Sequence, residues 1–470
     1  MVSSLEIMQN VSHSVNPYFF SKNLRIKHLS KAAILDKLSL LFGLVYLENA
    51  SHPIIAFLPQ HYFVVNGKNS AFYSRNEDRS YTQNSSIQTY NEFLTFKSES
   101  KSGSATSFHG GYIGFVDYNH ASQQSLKETS LPLGSAQPQF FIGQYNSFIE
   151  FTADEWCFRS HEQDGEAIFR LISSLLTPNI SNTSNTEKFY LKSPCQARWD
   201  KFAYQHAFQK VQNYIVAGDC YQINLTQEFT AQASGQLLDT AEKFWELTNA
   251  PYAGYLKLDH FEILSCSPEL FIDFKDNRTI VTKPIKGTMP RFTDPQLDEQ
   301  SKQSLIHSEK DRAENVMIVD LLRNDLSVYA ETGSVKTTKL FDIESFNQVH
   351  HMVSEIQATL KPDANPFKVL MSALPGGSIT GAPKIRAMEI IEELEGAPRG
   401  AYCGSLGYFN YDGTGSWNIL IRTIQKFEDK VSIWAGGGIT IASDCDAEYQ
   451  ECFDKVSAML DLLNTWHQPS

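Results

Sequence analysis

The chain has 470 residues, 42% of them hydrophobic, and its 40 lysines and arginines face 53 aspartates and glutamates, a formal net charge of −13. An acidic chain without long basic runs is poorly suited to nucleic-acid binding, and the hydrophobic content is enough for roughly two or three globular domains. Any site for an anion must gather its own cations or backbone N–H groups.

The seven cysteines are scattered and contain no Cys-x-x-Cys pair, which argues against a disulfide framework or a zinc ribbon and favours a reducing compartment. The N-terminus lacks a basic segment followed by an apolar one. No apolar run reaches the roughly 18 residues that a membrane-spanning helix needs. We therefore expect a cytoplasmic protein that crosses no membrane.

The N-terminal half predicts short strands with a few helices, for example strands at Ile54–Leu58, Tyr62–Val65 and Gly111–Asp117. The polar stretch Asn179–Lys188 is typical of a linker. We therefore predict an N-terminal region over residues 1–190 and a second region over residues 196–466.

Beyond residue 196, helical and extended patterns follow one another closely. The apolar spacing predicts helices at Trp199–Ala217, Asp311–Leu326 and Ala447–Trp466, and strands at Tyr221–Phe229, Phe261–Phe274 and Arg278–Thr282. Strands and helices do not alternate regularly, so the pattern favours an α+β fold over a doubly wound parallel sheet.

One lysine stands in the segment from Lys283 to Arg291 (KPIKGTMPR), which its prolines and glycine exclude from a continuous helix. We predict a tight loop that contains Lys286. Most loop lysines are exposed amines. A lysine whose pKa is lowered by burial and by nearby cations, however, becomes an amine nucleophile.

Glu448, Glu451 and Lys455 are spaced by three and four residues, within an arc of about 60° on one face of the predicted C-terminal helix. With Glu314 from another helix, the two glutamates could supply oxygen ligands for a magnesium ion. From spacing alone, a solvent-exposed face with an i,i+4 salt bridge is the better interpretation. Both interpretations remain open.

Three further features suggest a site for a polar substrate. Glu269 could act as a general acid if a cleft shields it. Ala435–Ile439 holds consecutive glycines whose N–H groups could bind an anion, although a bulge or tight turn explains them equally well. Arg422 stands among apolar residues and should have a carboxylate partner if it is buried.

The segment Gly376–Lys384 (GGSITGAPK) superficially suggests a P-loop for nucleotide binding. The P-loop motif requires lysine directly after its last glycine, and here Ala382 follows Gly381. A nucleotide-binding P-loop protein is therefore disfavoured. Pro383 suits the first turn of a following helix instead.

Nine segments follow one another between Trp199 and Leu463. They are GDCYQINL at 218–225, SPE at 267–269, the Lys286 segment, DRAEN at 311–315 with DLLRND at 320–325, HHMVS at 350–354, LPGGSITGAPK at 374–384, YCGSLGY at 402–408, the triple glycine, and AEYQE at 447–451. In this order they resemble the chorismate-binding family of anthranilate synthase component I, aminodeoxychorismate synthase component I, and the isochorismate and salicylate synthases. The resemblance implies the anthranilate synthase component I-like α+β fold, with large mixed or antiparallel sheets in a two-layer core flanked by helices, and makes residues 196–466 the chorismate-binding catalytic region.

Two positions imply the branch within this family. Anthranilate synthases carry alanine at the position of Lys286, and isochorismate and salicylate synthases carry lysine where Gln222 stands. The combination here resembles the PabB-type aminodeoxychorismate synthase branch and implies conversion of chorismate and ammonia to 4-amino-4-deoxychorismate, on the route to p-aminobenzoate and folate. Anthranilate synthase component I is the alternative. A non-catalytic partner subunit is disfavoured because all four candidate glutamates are present.

The resemblance also implies roles for individual residues. Glu269 protonates the departing 4-hydroxyl, Lys286 attacks C2 to form a covalent intermediate, and ammonia then adds at C4. Mg²⁺ is the implied cofactor, and its implied ligands are Glu314, Glu448 and Glu451. The residues that the resemblance implies for substrate binding are Gln222, His351, Thr380, Tyr408, Arg422, Gly437, Gly438 and Lys455.

The source of ammonia is implied to lie outside this chain. No Gly-x-Cys-x-Gly-His segment of a glutamine amidotransferase is present, so a separate PabA-type glutamine amidotransferase subunit is expected. Relatives bind tryptophan in the N-terminal region, where this chain has Val45–Ala50 with Glu48 and Asn49 as candidate contacts. Asn49 stands where anthranilate synthases carry serine, and tryptophan binding stays open.

Overall fold

The computed structural model describes residues 20–96, 107–126, 136–152, 154–177, 187–346 and 349–467. Most of the predicted linker Asn179–Lys188 lies outside these residues. No helix in the described ranges is long and apolar enough to cross a membrane.

Strands make up most of the framework, and helices cover it. The strands are β1 (Phe20–Asn23), β2 (Leu44–Leu47), β3 (Ile54–Ala56), β4 (His61–Asn66), β5 (Asn69–Arg75), β6 (Tyr81–Asn84), β7 (Gly111–Val116), β8 (Pro138–Tyr145), β9 (Ser147–Thr152), β10 (Glu155–Ser160), β11 (Tyr190–Leu191), β12 (Gln196–Ala197), β13 (Gln222–Ser234), β14 (Tyr252–Lys257), β15 (Phe261–Ser267), β16 (Leu270–Lys275), β17 (Thr279–Thr282), β18 (Ile285–Pro290), β19 (Lys336–Ser345), β20 (Val349–Thr359), β21 (Gly381–Ala382), β22 (Ser405–Asn410), β23 (Gly415–Asn418), β24 (Thr423–Phe427) and β25 (Lys430–Ile439). The helices are α1 (Lys31–Leu38), α2 (Tyr90–Phe93), α3 (Tyr118–Gln123), α4 (Gly165–Leu176), α5 (Lys201–Ala217), α6 (Ala241–Thr248), α7 (Pro295–Ile306), α8 (Glu309–Ser327), α9 (Pro366–Ala373), α10 (Lys384–Glu395), α11 (Cys445–Asp454) and α12 (Ser457–Asn464).

The strands form two large sheets. The first has the order β1-β10-β9-β3-β2-β14-β15-β24-β25-β13-β11, with β12 and β21 also paired to β13. The second has the order β18-β20-β17-β16-β23-β22-β7-β8-β4-β5-β6, with β19 also paired to β20. Helices flank both sheets, so the predicted α+β class is confirmed, and the pairs between these strands are antiparallel, for example β13 with β25 and β7 with β22.

Both sheets contain strands from both predicted regions. In the first sheet β2 pairs with β14, with Leu47 opposite Gly254. In the second, β7 pairs with β22, with Val116 opposite Ser405. The regions 1–190 and 196–466 therefore share their hydrogen-bonded framework, and residue 190 does not separate two independent folded units.

One hydrophobic core lies between the two sheets. Val45 and Leu256 from the first sheet and Phe115 and Leu406 from the second are all at most 1% exposed and belong to one cluster. Two further cores lie under the helices, one of them around α8 and α10 and the other around α1 and α4. Burial of this much apolar surface is the main stabilising contribution in a fold of this kind.

Two predicted elements are each divided in two. The expected strand Phe261–Phe274 is two strands in different sheets, because β15 ends at Ser267 and β16 begins at Leu270. The expected helix Ala447–Trp466 is α11 and α12, which a break at Lys455–Val456 separates. In contrast, the helices predicted at Trp199–Ala217 and Asp311–Leu326 are confirmed within two residues as α5 and α8.

Candidate active site

A cavity of about 440 Å³ lies between the C-terminal strands and helices α8 and α11. The predicted residues that line it are Glu269, Lys286, Glu314, His351, Arg422, Gly438, Glu448, Glu451 and Lys455. They come from parts of the chain as far apart as the segment between β15 and β16 and helix α11, so the tertiary fold brings together most of the residues that the sequence singled out.

Glu269 lies where the chain passes from the first sheet to the second, between β15 and β16. Its side chain is 6% exposed, and the N–H of Ile285 points at its Oε1 from 3.5 Å. Burial raises the pKa of Glu269 to about 7, although the Lys286 ammonium opposes the rise. A carboxyl group of this kind keeps its proton near neutral pH and can donate it.

Lys286 lies in a strand, β18, and the prediction of a loop was wrong. The segment pairs with β20 at the edge of the second sheet, where a proline can end a strand, and the register shifts between Ile285 and Thr288. Lys286 Nζ donates to the carbonyl of Ser378 at 3.1 Å. Burial lowers the pKa of Lys286, while Glu314 raises it and Lys455 lowers it.

His351 and Arg422 line the cavity beside these two residues. Burial lowers the pKa of His351 to about 4, with a further contribution from Arg422, so its imidazole is neutral. Its Nδ1 lies 2.8 Å from Thr288 Oγ1. Arg422 is half-buried, and within the described ranges its guanidinium forms no ion pair, so it is available to an anion in the cavity.

The two glutamates of α11 differ in their surroundings. Glu448 is 3% exposed, accepts a 2.7 Å hydrogen bond from Ser443 on Oε1, and has no partner for Oε2 among the described residues. Glu451 forms a 2.6 Å salt bridge with Lys455. The ammonium of Lys455 also donates to Gly436 O at 2.7 Å. The predicted i,i+4 salt bridge is confirmed, but this helix face lines a cavity rather than open solvent, and its role in binding magnesium stays a prediction.

Their pKa values diverge accordingly. Burial raises the pKa of Glu448, and the neighbouring Glu451 adds to the rise. Burial also acts on Glu451, but Lys455 outweighs it and the net pKa is lowered. Glu314, across the cavity on α8, has a pKa raised by burial. Glu451 is thus the carboxylate most firmly ionised in this group.

These carboxylates fit a magnesium ion in chemical type, and all three line one cavity. Hard divalent cations take carboxylate oxygens, and the buried Glu448 Oε2 is without a partner in the described structure. Gly437 lies against both glutamates, since a Cβ there would be 2.9 Å from Glu448 Oε2 and 3.0 Å from Glu451 Oε1. Within the described ranges, however, no three acidic, histidine or cysteine groups already stand close enough together to hold an ion.

The segment that superficially suggested a P-loop is part of the cavity wall. Ser378 and Ile379 line the cavity, and Ser378 holds the lysine amine through its carbonyl. Pro383 is the residue that immediately precedes α10. Gly377 packs directly against Leu321, where a side chain would not fit. Close packing therefore accounts for this glycine, and nucleotide binding is not needed to explain it.

The chain matches the family model for chorismate binding enzymes over residues 46–461. The chain belongs to the chorismate-binding enzyme family. It is 41% identical to aminodeoxychorismate synthase component 1 of Salmonella typhimurium over 357 residues. The matched stretch covers 76% of this chain and 77% of the relative. It is 34% identical to the protein of that name from Bacillus subtilis, over 76% of this chain and 77% of the relative.

Two anthranilate synthases also match this chain, at lower identity than these relatives. Anthranilate synthase component 1 of Haloarcula marismortui is 30% identical over 75% of this chain and 76% of the relative. The crystal structure of anthranilate synthase component I from Streptococcus pneumoniae superposes with a TM-score of 0.71 at 26% identity, covering 87% of this chain and 91% of that one. The fold predicted from the resemblance is therefore confirmed.

Tyr408 does not line the main cavity, so the structure does not bring it together with the other residues predicted to bind substrate. Its hydroxyl donates to Asn49 Oδ1 at 3.4 Å, in a separate small cavity between the two sheets. The residue that lines the main cavity is Tyr402, whose ring stacks on Trp434 with centroids 6.1 Å apart. Tyr402 lies in the turn before β22, whereas Tyr408 lies within β22 and packs in the inter-sheet core, so no single strand pattern relates the two side chains.

The small cavity beside Tyr408 is the region predicted for tryptophan. Its volume is about 20 Å³, room for about one water molecule rather than an indole ring. Asn49 lines it, whereas the Glu48 carboxylate is engaged by Lys31 and by the hydroxyl of Tyr46. Among the described residues, the cavity beside Asn49 has no room for an indole ring, and tryptophan binding stays open.

Three predicted residues lie behind the cavity surface. The Thr380 hydroxyl donates to Gly376 O at 3.0 Å and is fully buried. Gln222 packs beneath Gly438, where a Cβ would lie 1.9 Å from Gln222 Nε2. Gly437 lies against Glu448 and Glu451. Thr380, Gln222 and Gly437 therefore support the cavity wall and do not line it.

Sequence reasoning also missed residues that do line the cavity. Lys310 stands one helical turn before Glu314 on α8, a Lys-x-x-x-Glu spacing that places both on one face. Asn224 on β13 and Trp434 on β25 line it from the first sheet. The spacing of Lys310 could have been read from the sequence, and Asn224 lies inside the GDCYQINL segment at 218–225, but nothing in the sequence marks Trp434.

Proposed function

We propose that this chain is the chorismate-aminating component of an aminodeoxychorismate synthase, which converts chorismate and ammonia to 4-amino-4-deoxychorismate. Its most similar family members discussed above carry the name aminodeoxychorismate synthase component 1. The observation that carries the proposal is the placement of Lys286 and Glu269 in one cavity, with the pKa of the amine lowered and that of the acid raised toward neutrality. These two shifts suit a nucleophile and a proton donor.

Substrate binding uses the cations of the cavity. Arg422, which has no carboxylate partner in the described structure, pairs with the enolpyruvyl carboxylate together with the backbone of Gly438. The neutral His351 lines the same wall and accepts or donates a hydrogen bond without adding charge. The ring of chorismate then lies between Lys286 and Glu269, which orients its reacting carbons.

The first step is substitution of the 4-hydroxyl. The neutral amine of Lys286 forms a bond to C2, both ring double bonds shift along the path from C2 to C4, and the C4–O bond breaks. Glu269 gives its proton to the departing oxygen, which leaves as water. The products are a covalent lysine adduct and the Glu269 carboxylate, which the nearby lysine ammonium stabilises.

The second step releases the product. Ammonia forms a bond to C4, both double bonds shift back, and the C2–N bond breaks, which returns the Lys286 amine. The surplus proton of the new ammonium group returns to the Glu269 carboxylate, which restores both catalytic groups. One buried acid therefore serves both half-reactions, as its pKa near 7 allows.

Glu448, Glu451 and Glu314 would hold Mg²⁺ at the end of the cavity. When bound, the ion would neutralise the ring carboxylate of chorismate and weaken charge repulsion with the glutamates. Glu451 is held by Lys455 in the structure, so Lys455 must exchange its partner when that carboxylate is used.

We also propose that a separate glutaminase subunit supplies the ammonia. The name component 1 of the relatives points to a second component, and the sequence of this chain contains no amidotransferase cysteine motif. We place the pair in the cytoplasm, in keeping with seven cysteines that are all free thiols.

The proposal is tested by trapping the adduct. The purified chain is mixed with chorismate and Mg²⁺ without ammonia, and intact mass and peptide mapping should locate a covalent adduct on Lys286. Lys286→Ala should form no adduct and lose activity with ammonium salts. If the wild-type chain instead releases a fluorescent aromatic amine directly, without an added lyase, it is an anthranilate synthase and the proposal fails.

A further inference from the structure

A buried ion pair lies directly behind the cavity wall. Arg399 is 1% exposed and forms two hydrogen bonds with Glu395 at the end of α10, Nε to Oε2 at 2.8 Å and Nη2 to Oε1 at 2.7 Å. Glu395 Oε1 also accepts from the N–H of Thr226 at 3.0 Å and from its hydroxyl at 2.7 Å. Both charges are therefore paired and hydrogen-bonded, which a buried ion pair requires.

The remaining donors of Arg399 reach the backbone of two cavity-lining residues. Nη2 donates to Asn224 O at 2.7 Å and Nη1 to Ile379 O at 3.1 Å. Asn224 Nδ2 donates to the same Ile379 carbonyl at 3.0 Å. One guanidinium thus joins β13 of the first sheet to the segment that follows α9.

The ring of a third cavity residue lies against the same guanidinium. Arg399 stands 4.6 Å from the ring centroid of Tyr118 and 5.9 Å from that of Tyr402. Tyr402 in turn stacks on Trp434, and both line the cavity. Arg399 itself does not line the cavity.

We propose that Arg399 is a positioning residue, which holds the carbonyls of Ile379 and Asn224 so that the adjoining Ser378 carbonyl presents the Lys286 amine to the substrate. The inference rests on the proposed function, because it assigns Lys286 the nucleophilic role. Ser378 immediately precedes Ile379, and its carbonyl is the 3.1 Å acceptor of Lys286 Nζ. A shift of the Ile379 peptide therefore moves the acceptor of the reacting amine directly.

The planar fork of arginine is what makes this arrangement possible. It can serve two carboxylate oxygens and two carbonyls at once in fixed directions. A lysine at 399 would keep the positive charge opposite Glu395 but could not reach all four acceptors. Arg399→Lys thus separates charge from geometry, and it leaves Glu269, Arg422 and the carboxylate cluster untouched.

The test compares Arg399→Lys with a matched control elsewhere. Arg75 and Glu162 form another buried arginine–glutamate pair, with side chains 9% and 2% exposed, in which Arg75 also donates to the carbonyl of Leu58. Thermal unfolding, chorismate KM, kcat with ammonium, and the rate of Lys286 adduct formation at saturating chorismate are measured for wild type, Arg399→Lys and Arg75→Lys. All assays are run well below the unfolding temperature of each protein.

We expect both variants to unfold at lower temperature than the wild type. Only Arg399→Lys should also lower kcat and the adduct rate, by about 10- to 100-fold, because a displacement of about 1 Å at a reacting group has an effect of this size. Its chorismate KM should change by less than its kcat, since Arg422 still binds the carboxylate. Arg75→Lys should keep the wild-type adduct rate.

Equal adduct rates for Arg399→Lys and wild type would overturn the positioning role, whatever the loss of stability. If Arg399→Lys cannot be obtained folded, Glu395→Gln is measured in the same way. This variant weakens the hold on the Arg399 guanidinium, because it removes the charge of the carboxylate but keeps the shape of the side chain. Failure of the wild type to form any adduct would instead refute the proposed function itself, so the two outcomes are distinguishable.

Discussion

Glu269 and Arg422 lie on the two segments by which the chain passes between the sheets, and backbone hydrogen bonds join these segments. Ile419 N donates to Glu269 O at 3.2 Å, and Cys266 N donates to Arg422 O at 3.0 Å. β15 and β24 belong to the first sheet, whereas β16 and β23 belong to the second. The backbone hydrogen bonds between these two connecting segments therefore hold the candidate acid and the candidate anion-binding cation in a fixed relative position.

The buried acid gives activity a defined pH dependence. Because Glu269 has a pKa of about 7, kcat/KM should fall as pH rises through this value and the proton is lost. Glu269→Gln should lower kcat by about 100-fold or more, since general acid catalysis contributes about that much. A wild-type profile of kcat/KM that stays flat from about pH 6 to about pH 9, on both sides of this pKa, would contradict the assignment.

The same group affects stability in the opposite sense to an ion-paired carboxylate. The folded protein holds the Glu269 proton up to a pH of about 7, whereas the ordinary value for glutamate is 4.5, so the folded state binds more protons between these values. The free energy of unfolding therefore falls with rising pH in this window. Glu269→Gln does not titrate, and denaturant titrations should show it gaining up to about 3 kcal/mol relative to wild type across the window.

Glu448 is predicted to be required for magnesium. Glu448→Gln should weaken Mg²⁺ binding by about tenfold or more in calorimetric titrations, because it replaces a buried charged oxygen that has no other partner with a neutral amide. Asp446→Asn is the matched control on the same helix, since Asp446 is exposed and pairs with Lys201. Equal affinities for the two variants would exclude Glu448 as a ligand.

Gly287, next to the reacting lysine, should not tolerate a side chain. Its φ is +85°, and a Cβ would lie 2.8 Å from Leu305 Cδ1 and 2.9 Å from Asp311 Cγ. Gly287→Ala should lose about 1–2 kcal/mol from the left-handed backbone alone and more from the contacts, and its adduct rate should fall because β18 shifts.

Gly333→Ala separates these two effects. Gly333 has a φ of +78° but nothing within 4 Å of the added Cβ, so this variant carries the backbone strain alone. In chemical denaturation, Gly333→Ala should lose about as much stability as the left-handed backbone alone costs Gly287→Ala. Its adduct rate should be unchanged. A similar loss of adduct rate in Gly333→Ala would show that Gly287 acts only through global stability.

The two tyrosines of the YCGSLGY segment should differ in their effect on activity. Tyr402 and Tyr408 are 6% and 2% exposed, so Tyr402→Leu and Tyr408→Leu should both lower the unfolding temperature. Only Tyr402→Leu should raise the chorismate KM, by roughly three- to tenfold, because it removes the ring that stacks on Trp434 in the cavity. Steady-state kinetics at a temperature where both variants are folded decide this, and an equal rise in KM would contradict the placement of Tyr408.

The sequence by itself determined the residues whose role depends on local spacing and side-chain chemistry. Glu448, Glu451 and Lys455 share a helix face because the helical repeat requires it, and the salt bridge between Glu451 and Lys455 is the one that the spacing predicts. The order of the motifs was enough for the family, which the match over residues 46–461 establishes.

Only the tertiary structure decided which residues face the cavity. Lys286 proved to lie on an edge strand, Tyr402 rather than Tyr408 lines the wall, and Arg399 bonds to carbonyls 20 and 175 positions away. The orientation of a side chain near a strand end depends on register, and register is set by pairing partners that are distant in sequence. Long-range backbone contacts of this kind leave no periodic signal in the amino-acid sequence, and they are what turns a set of scattered polar residues into one site.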